Sequence, residues 1–169
     1  MTRSRSANKD APEHLVLETF LPYRLSVLAN RVSNAIAQDY EAGFGLRVPE
    51  WRVMAVLGRF GANTATGLCH QTAMDKVTIS RAATTLLARK FITRKTDPDD
   101  RRRTILELTA AGQRVHDEIV PVALAHEADL LHTLSQSERA QLDRLLTKLQ
   151  QETEVTASRE NARGAAQTR

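Results

Sequence analysis

Cysteine and histidine are the first residues to weigh for chemistry, and their spacing argues against catalysis. The single cysteine, Cys69, is followed directly by His70. Neighbours on a helix point about 100° apart, which is poor geometry for a nucleophile and its base. His116, His126 and His132 fall ten and six residues apart. No pair among them has the four-residue spacing that places two imidazoles on one helix face for a metal. His14 and His70 are isolated. No nucleophile elbow, phosphate loop or dinucleotide fingerprint occurs. The sequence therefore reads as that of a non-enzyme, with no catalytic residue, metal site or cofactor.

The basic residues carry a different chemistry. From Lys76 to Arg103 there are nine basic residues against three acidic ones, in a chain whose net charge is only +4. Such asymmetry is the electrostatic footprint of phosphate contact. Within it, Val77, Arg81, Thr84 and Ala88 share one face of a helix, flanked by Thr78 and Thr85. Small side chains around one arginine allow close approach to a major groove, where a guanidinium can bond a guanine through two hydrogen bonds. Aromatic residues make up only 4% of the chain, too few for the stacking platforms that bind single strands, so duplex DNA is the expected partner.

Elements that can position this face follow from periodicity and caps. Leu21, Leu25, Leu28, Val32 and Ile36 form the apolar stripe of a first helix over about 22–42, ended by Gly43 and Gly45. A second helix follows Pro49 and stops near Gly58 or Gly61. Thr64 caps a short third helix to about Gln71. Asp75 caps a fourth, from about Lys76 to Lys90, that buries Ile79, Ala83 and Leu86. Extended segments at 91–95 and 103–109 flank the turn-rich stretch from Thr96 to Arg102 and predict a β-hairpin. Thr109 opens a long helix to about Thr133, kinked at Pro121. Ser135-Gln136-Ser137-Glu138 is a capping box before Leu142, Leu145, Leu146 and Leu149. The fold class is mainly α with a small β-hairpin: a winged helix-turn-helix plus a helical dimerisation region.

The expected domain plan is a flexible arm at 1–12, an N-terminal helix at 13–45 for dimerisation, the winged helix-turn-helix at 46–109, dimerisation helices at 110–152 and a flexible tail at 153–169. The leucines of the terminal helices exceed what a small domain covers alone, which calls for a homodimer. No apolar stretch is long enough to span a bilayer, so no membrane partner is expected. One cysteine precludes an intrachain disulfide, and a cytoplasmic setting fits.

Several motifs, in order and with the right gaps, resemble the MarR family of bacterial regulators. Asp97-Pro98-Asp99-Asp100-Arg101-Arg102-Arg103 through Leu106-Glu107-Leu108-Thr109-Ala110-Ala111-Gly112 is similar to the family wing. Asp75-Lys76-Val77-Thr78-Ile79-Ser80-Arg81 resembles the opening of its recognition helix, and Val48-Pro49-Glu50-Trp51-Arg52-Val53-Met54 its second helix. The chain departs from the family at Lys90, where a glycine is usual before the wing, and at Arg47, where the second helix usually has a Thr or Ser cap.

The resemblance implies a symmetric dimer on a pseudo-palindromic operator, a ligand-responsive repressor released by an effector. On this reading Val77, Thr78 and Arg81 meet base edges, while Lys76, Ser80, Thr84 and Thr85 position the helix on phosphates. Arg102 enters the minor groove, Asp100 orients neighbouring arginines, and Arg101 and Arg103 meet phosphates. Tyr23, Arg24, Asn30, Arg31 and Trp51 are the expected ligand-binding residues, for an aromatic or phenolic acid or its thioester. The alternative is a redox-sensing regulator using Cys69.

Overall fold

The structure, a computed structural model, describes residues 15–96, 100 and 103–167, with side chains described through Thr156. The described residues form six helices and three strands: α1 (Leu21–Phe44), α2 (Val48–Phe60), β1 (Asn63–Thr64), α3 (Ala65–Thr72), α4 (Lys76–Ala88), β2 (Ile92–Thr96), β3 (Thr104–Leu108), α5 (Ala110–Leu131) and α6 (Gln136–Gln167). The chain divides after Val122, one residue past Pro121, into two compact units.

The first unit holds the core. Tyr40, Leu46, Val53, Met54, Leu57, Leu68, Ile79, Leu86, Ile92, Leu106 and Ile119 are all buried. Ile79, Ala82, Ala83 and Leu86 recur at three- and four-residue steps, so α4 turns one stripe inward and leaves the opposite face in solvent. β2 and β3 pair antiparallel from Ile92 opposite Leu108 to Thr96 opposite Thr104. The two-residue β1 pairs with the other edge of β3, placing Asn63 opposite Leu106. Periodicity does not reveal a strand this short, and the sequence reading omits it.

Helix ends explain most of the boundaries. Glycine ends α1 as expected, but at Gly45, in the left-handed region at φ 60°; Gly43 lies inside the helix. Arg47 offers α2 no side-chain acceptor, and the cap is supplied from the other side: the Glu50 carboxylate accepts from the Arg47 N–H at 2.5 Å. That is half of a capping box. Thr64 accepts from Gly67 N–H at 3.1 Å, and Asp75 from Val77 and Thr78 N–H at 2.8 and 2.9 Å.

α4 ends two residues earlier than expected. Lys90 adopts φ 59°, donating to Leu87 O while Phe91 N–H donates to Leu86 O. That pair of bonds is the Schellman arrangement, with lysine in the seat glycine usually takes. α2 runs through Gly58 and ends at Gly61, the second of the two stops that the sequence offers. A Cβ on Gly58 would lie 2.3 Å from the His116 ring, so this glycine serves close packing with α5 rather than a turn.

In the second unit, Ser135 N–H donates to Glu138 at 2.8 Å and the Ser135 hydroxyl accepts from Glu138 N–H at 3.4 Å, completing the expected capping box. The side-chain hydrogen bond from Ser135 also holds the Glu138 carboxyl below its ordinary range. Backbone helix continues to Gln167, past residue 152 where the sequence reading ends it. The extension lacks an apolar stripe but is rich in Glu, Gln, Arg and Ala, all strong helix formers.

Candidate nucleic-acid interface

The site is built from the exposed face of α4 and the adjoining β-hairpin. Asp75 fixes where α4 begins. Besides its two backbone bonds, it accepts from the Thr78 hydroxyl at 2.6 Å. These bonds, the Thr78 hydroxyl foremost, hold its carboxyl below the ordinary aspartate range. Thr78 is half-buried and its hydroxyl proton is committed to this cap. Lys76, Val77, Ser80, Arg81, Thr84 and Thr85 are exposed, with Val77 at 59%. A valine left this open is suited to a thymine methyl.

The two threonines at the far end turn their hydroxyls inward. Thr84 donates to Ser80 O at 2.8 Å and Thr85 to Arg81 O at 3.2 Å. Their protons satisfy the helix itself, and what this end presents outward is largely methyl.

The basic run divides into cations the protein uses and cations it does not. Arg89 donates to the carbonyls of Gly45 and Phe44, and its guanidinium lies 4.5 Å from the Phe91 ring centroid. Lys95 forms an ion pair with Glu107 across the hairpin. By contrast, the side chains of Lys76, Arg81, Arg94 and Arg103 have no hydrogen-bond or ion-pair partner among the described residues. Cations without a partner of their own are the ones a phosphate backbone can recruit.

Strand alternation distributes these groups. Arg94 lies opposite Leu106 and shares its face with Thr104. That face lines a cleft of about 260 Å³ with Lys76 and Ser80 of α4. Arg103 and Ile105 face the other way, toward a cleft of about 480 Å³ lined also by Asn63, Thr66 and His70. Arg103 N–H donates to Asp100 O at 2.8 Å, closing a turn. Arg101 and Arg102 lie outside the described residues. Arg94 belongs to no expected site in the sequence reading. Its signal is the alternation of β2, which sets it apart from Lys95.

The expected ligand residues do not form one site. Tyr23, Arg24 and Arg31 line a groove of about 490 Å³ along α1, with Leu17, Leu21 and Leu28. Asn30 is exposed and does not line it. Trp51 is half-buried between Tyr40 and His116, at ring-centroid separations of 6.0 and 5.7 Å. It packs against the core rather than against the groove. Burial also pushes the Tyr40 hydroxyl up from its ordinary pKa. Cys69 is half-buried on α3 and packs against the same core. Among the described residues no helix is long and apolar enough to cross a membrane.

This arrangement of helices and hairpin has relatives. Residues 44–103 match the model of the MarR family. The HTH-type transcriptional repressor NicR of Pseudomonas putida is 31% identical over 115 residues, covering 68% of this chain and 73% of that protein. A MarR/EmrR family regulator from Acinetobacter sp. ADP1 superposes with a TM-score of 0.76 at 25% identity, over 83% of this chain and 99% of that one. BpsR of Bordetella bronchiseptica, whose DNA binding is regulated by 6-hydroxynicotinic acid, gives 0.63 at 25% identity, over 75% and 98%. The chain belongs to the MarR family of DNA-binding transcriptional regulators, which has the winged helix-turn-helix fold and is not a family of enzymes.

Proposed function

We propose that this regulator is a repressor that binds a pseudo-palindromic operator as a homodimer and is released by a small aromatic carboxylic acid. The observation that carries the DNA-reading part is the α4 face: Arg81 and Val77 stand exposed among small side chains, beside a Lys76 that has no partner among the described residues. Val77, Thr78 and Arg81 read base edges, and Lys76 and Ser80 hold the backbone. Thr84 contributes its methyl group. Arg102 at the hairpin tip takes the minor groove, with Asp100, Arg101 and Arg103 around it, as the family resemblance implies.

The dimer is supported by apolar side chains left open on both terminal segments. Leu15, Leu21 and Leu28 are 63%, 47% and 54% exposed, and Leu145 is 47% exposed. A two-fold partner is the economical cover for them. The effector class is supported by the α1 groove, where Arg24 and Arg31 offer cations and Tyr23 a ring beside leucines. BpsR's response to 6-hydroxynicotinic acid points the same way. An effector acts by favouring a head spacing that no longer fits consecutive major grooves.

A mobility-shift titration with the duplex upstream of its own gene tests this reading. Binding is expected to be salt-sensitive, tighter than to random duplex, and weakened by 6-hydroxynicotinic acid or by a phenolic acid or its coenzyme A ester. Equal affinity for both duplexes at every salt concentration overturns the DNA part. Failure of all these acids to bind in calorimetry overturns the effector part.

A further inference from the structure

The proposed reading places α4 in a major groove and the hairpin tip in the adjacent minor groove. One sugar–phosphate strand separates two such grooves. That strand must cross whatever surface joins α4 to the hairpin. The joining surface is the cleft of about 260 Å³ lined by Lys76, Ser80, Arg94 and Thr104. Among the described residues nothing acidic lines it.

We propose that Lys76 and Arg94 form a phosphate clamp across this cleft, gripping the DNA strand between the two grooves and setting the angle between helix and wing. Two features carry this. First, the cations come from different elements, Lys76 from the first turn of α4 and Arg94 from β2. Second, neither has a hydrogen-bond or ion-pair partner among the described residues, while Lys95, the next residue along, is paired with Glu107. Two unneutralised cations on one cleft repel each other until an anion lies between them. The guanidinium of Arg94 can hold two phosphate oxygens in one plane, and the Lys76 ammonium adds a point charge. Ser80 and Thr104 add hydroxyls to the same cleft. The contact is to backbone, so it strengthens attachment to every sequence equally.

The inference rests on the DNA-reading proposal above, and the test separates the two. Full-length wild type, Arg94→Gln, Arg94→Lys and Arg114→Gln are compared on two duplexes, the stretch upstream of the gene and a random sequence of equal length, between about 50 and 200 mM salt. Arg114 is exposed on α5 and supplies the control. Arg94→Gln is expected to reduce the slope of log K against log salt by about 0.9 for each protomer bound, and to weaken both duplexes by the same factor. Arg94→Lys retains the slope, and Arg114→Gln behaves as wild type. Far-UV circular dichroism verifies that each variant is folded, as expected for an exposed side chain. An unchanged slope in Arg94→Gln overturns the clamp while leaving the operator reading intact. Loss confined to the upstream duplex overturns it too, because it would make Arg94 a base reader. Wild type that binds neither duplex overturns the underlying reading itself.

Discussion

The guanidinium of Arg89, at the end of α4, donates to Gly45 O at 2.9 Å and to Phe44 O at 2.5 Å, at the end of α1. A helix leaves its last carbonyls without intrahelical donors. At α1 those acceptors are met by a residue 44 positions away in sequence. One side chain thus ties α4, the helix proposed to read DNA, to the helix that carries the α1 groove.

Arg89→Gln removes both bonds and the contact with the Phe91 ring. The expected cost is about 1–2 kcal/mol, since bonds from a charged donor are worth more than neutral ones but these are exposed. Arg89→Lys restores little, because one ammonium cannot address two carbonyls and cover a ring. Urea denaturation of the three proteins measures this. A lysine variant as stable as wild type would show that charge alone suffices.

Gly112 marks where α5 sits on the base of the hairpin. A Cβ there would fall 1.9 Å from the Phe91 carbonyl oxygen. That oxygen is held in place, accepting from Thr109 N–H at 2.9 Å and from the Thr109 hydroxyl at 3.3 Å. Gly112→Ala is therefore expected to cost about 3 kcal/mol through overpacking. Calorimetry should give a lower Tm and a weaker duplex complex from the same sample. An unaltered Tm would mean that the first turn of α5 does not rest on Phe91.

Local signals are legible in the sequence itself. The spacing of Ile79, Ala83 and Leu86 with an aspartate ahead of them specifies α4, because cap and stripe act within a few residues. The capping box at Ser135 reads the same way. Features that depend on partners distant in the chain do not show. The two residues of β1 become a strand only because β3 has an open edge beside them. Gly58 and Gly61 read alike as candidate stops of α2, and only the fold shows that Gly61 is the cap while Gly58 admits His116. Trp51 reads as a pocket wall, and only the folded core shows its ring lodged between Tyr40 and His116. Of the five expected ligand residues, Tyr23, Arg24 and Arg31 line one groove along α1.

Among the described residues two hold left-handed backbone without being glycine: Ala73 at φ 54°, capping α3, and Lys90 at φ 59°. For an L-residue that conformation costs about 1–2 kcal/mol, whereas glycine gives back about 0.5–1 kcal/mol in unfolded-state freedom. Ala73→Gly is therefore expected to stabilise by roughly 0.5–1 kcal/mol. Lys90→Gly should do the same. A shift of the urea midpoint at constant m-value reads the effect. Destabilisation of Ala73→Gly would contradict the left-handed cap.

Acid should loosen this protein through two helix caps and one carboxylate within α5. The carboxyls of Asp75, Asp117 and Glu138 lie below their ordinary range, held there first by bonds from Thr78, His116 and Ser135 respectively. A depressed carboxyl stabilises the fold at any pH above its unfolded value, and that contribution fades as pH falls through the folded value. Stability from these three groups should therefore be level from about pH 7 to 5 and decline below about pH 4. Asp75→Asn keeps a capping oxygen but cannot titrate, so its melting curve should decline less steeply below about pH 4 than that of wild type. Identical acid profiles would remove Asp75 from the account.

Arg81 tests whether α4 reads sequence or merely adheres. Its side chain is exposed and has no hydrogen-bond or ion-pair partner among the described residues, and it stands one turn from Val77 on the same face. If it bonds a guanine edge, Arg81→Ala forfeits about 1–3 kcal/mol on the operator and relaxes preference at one base pair in each half-site. On random duplex it loses only the generic attraction of one charge. The two losses must differ, because a base contact exists only where the base is present. Val77→Ala supplies the matching apolar case: it should weaken an operator carrying thymine at the contacted step and leave the same site with deoxyuridine, which lacks the methyl, unaffected. Competition titrations against a panel of single-substituted duplexes measure both, and equal losses across the whole panel for Arg81→Ala would make it a phosphate contact like its neighbour Lys76.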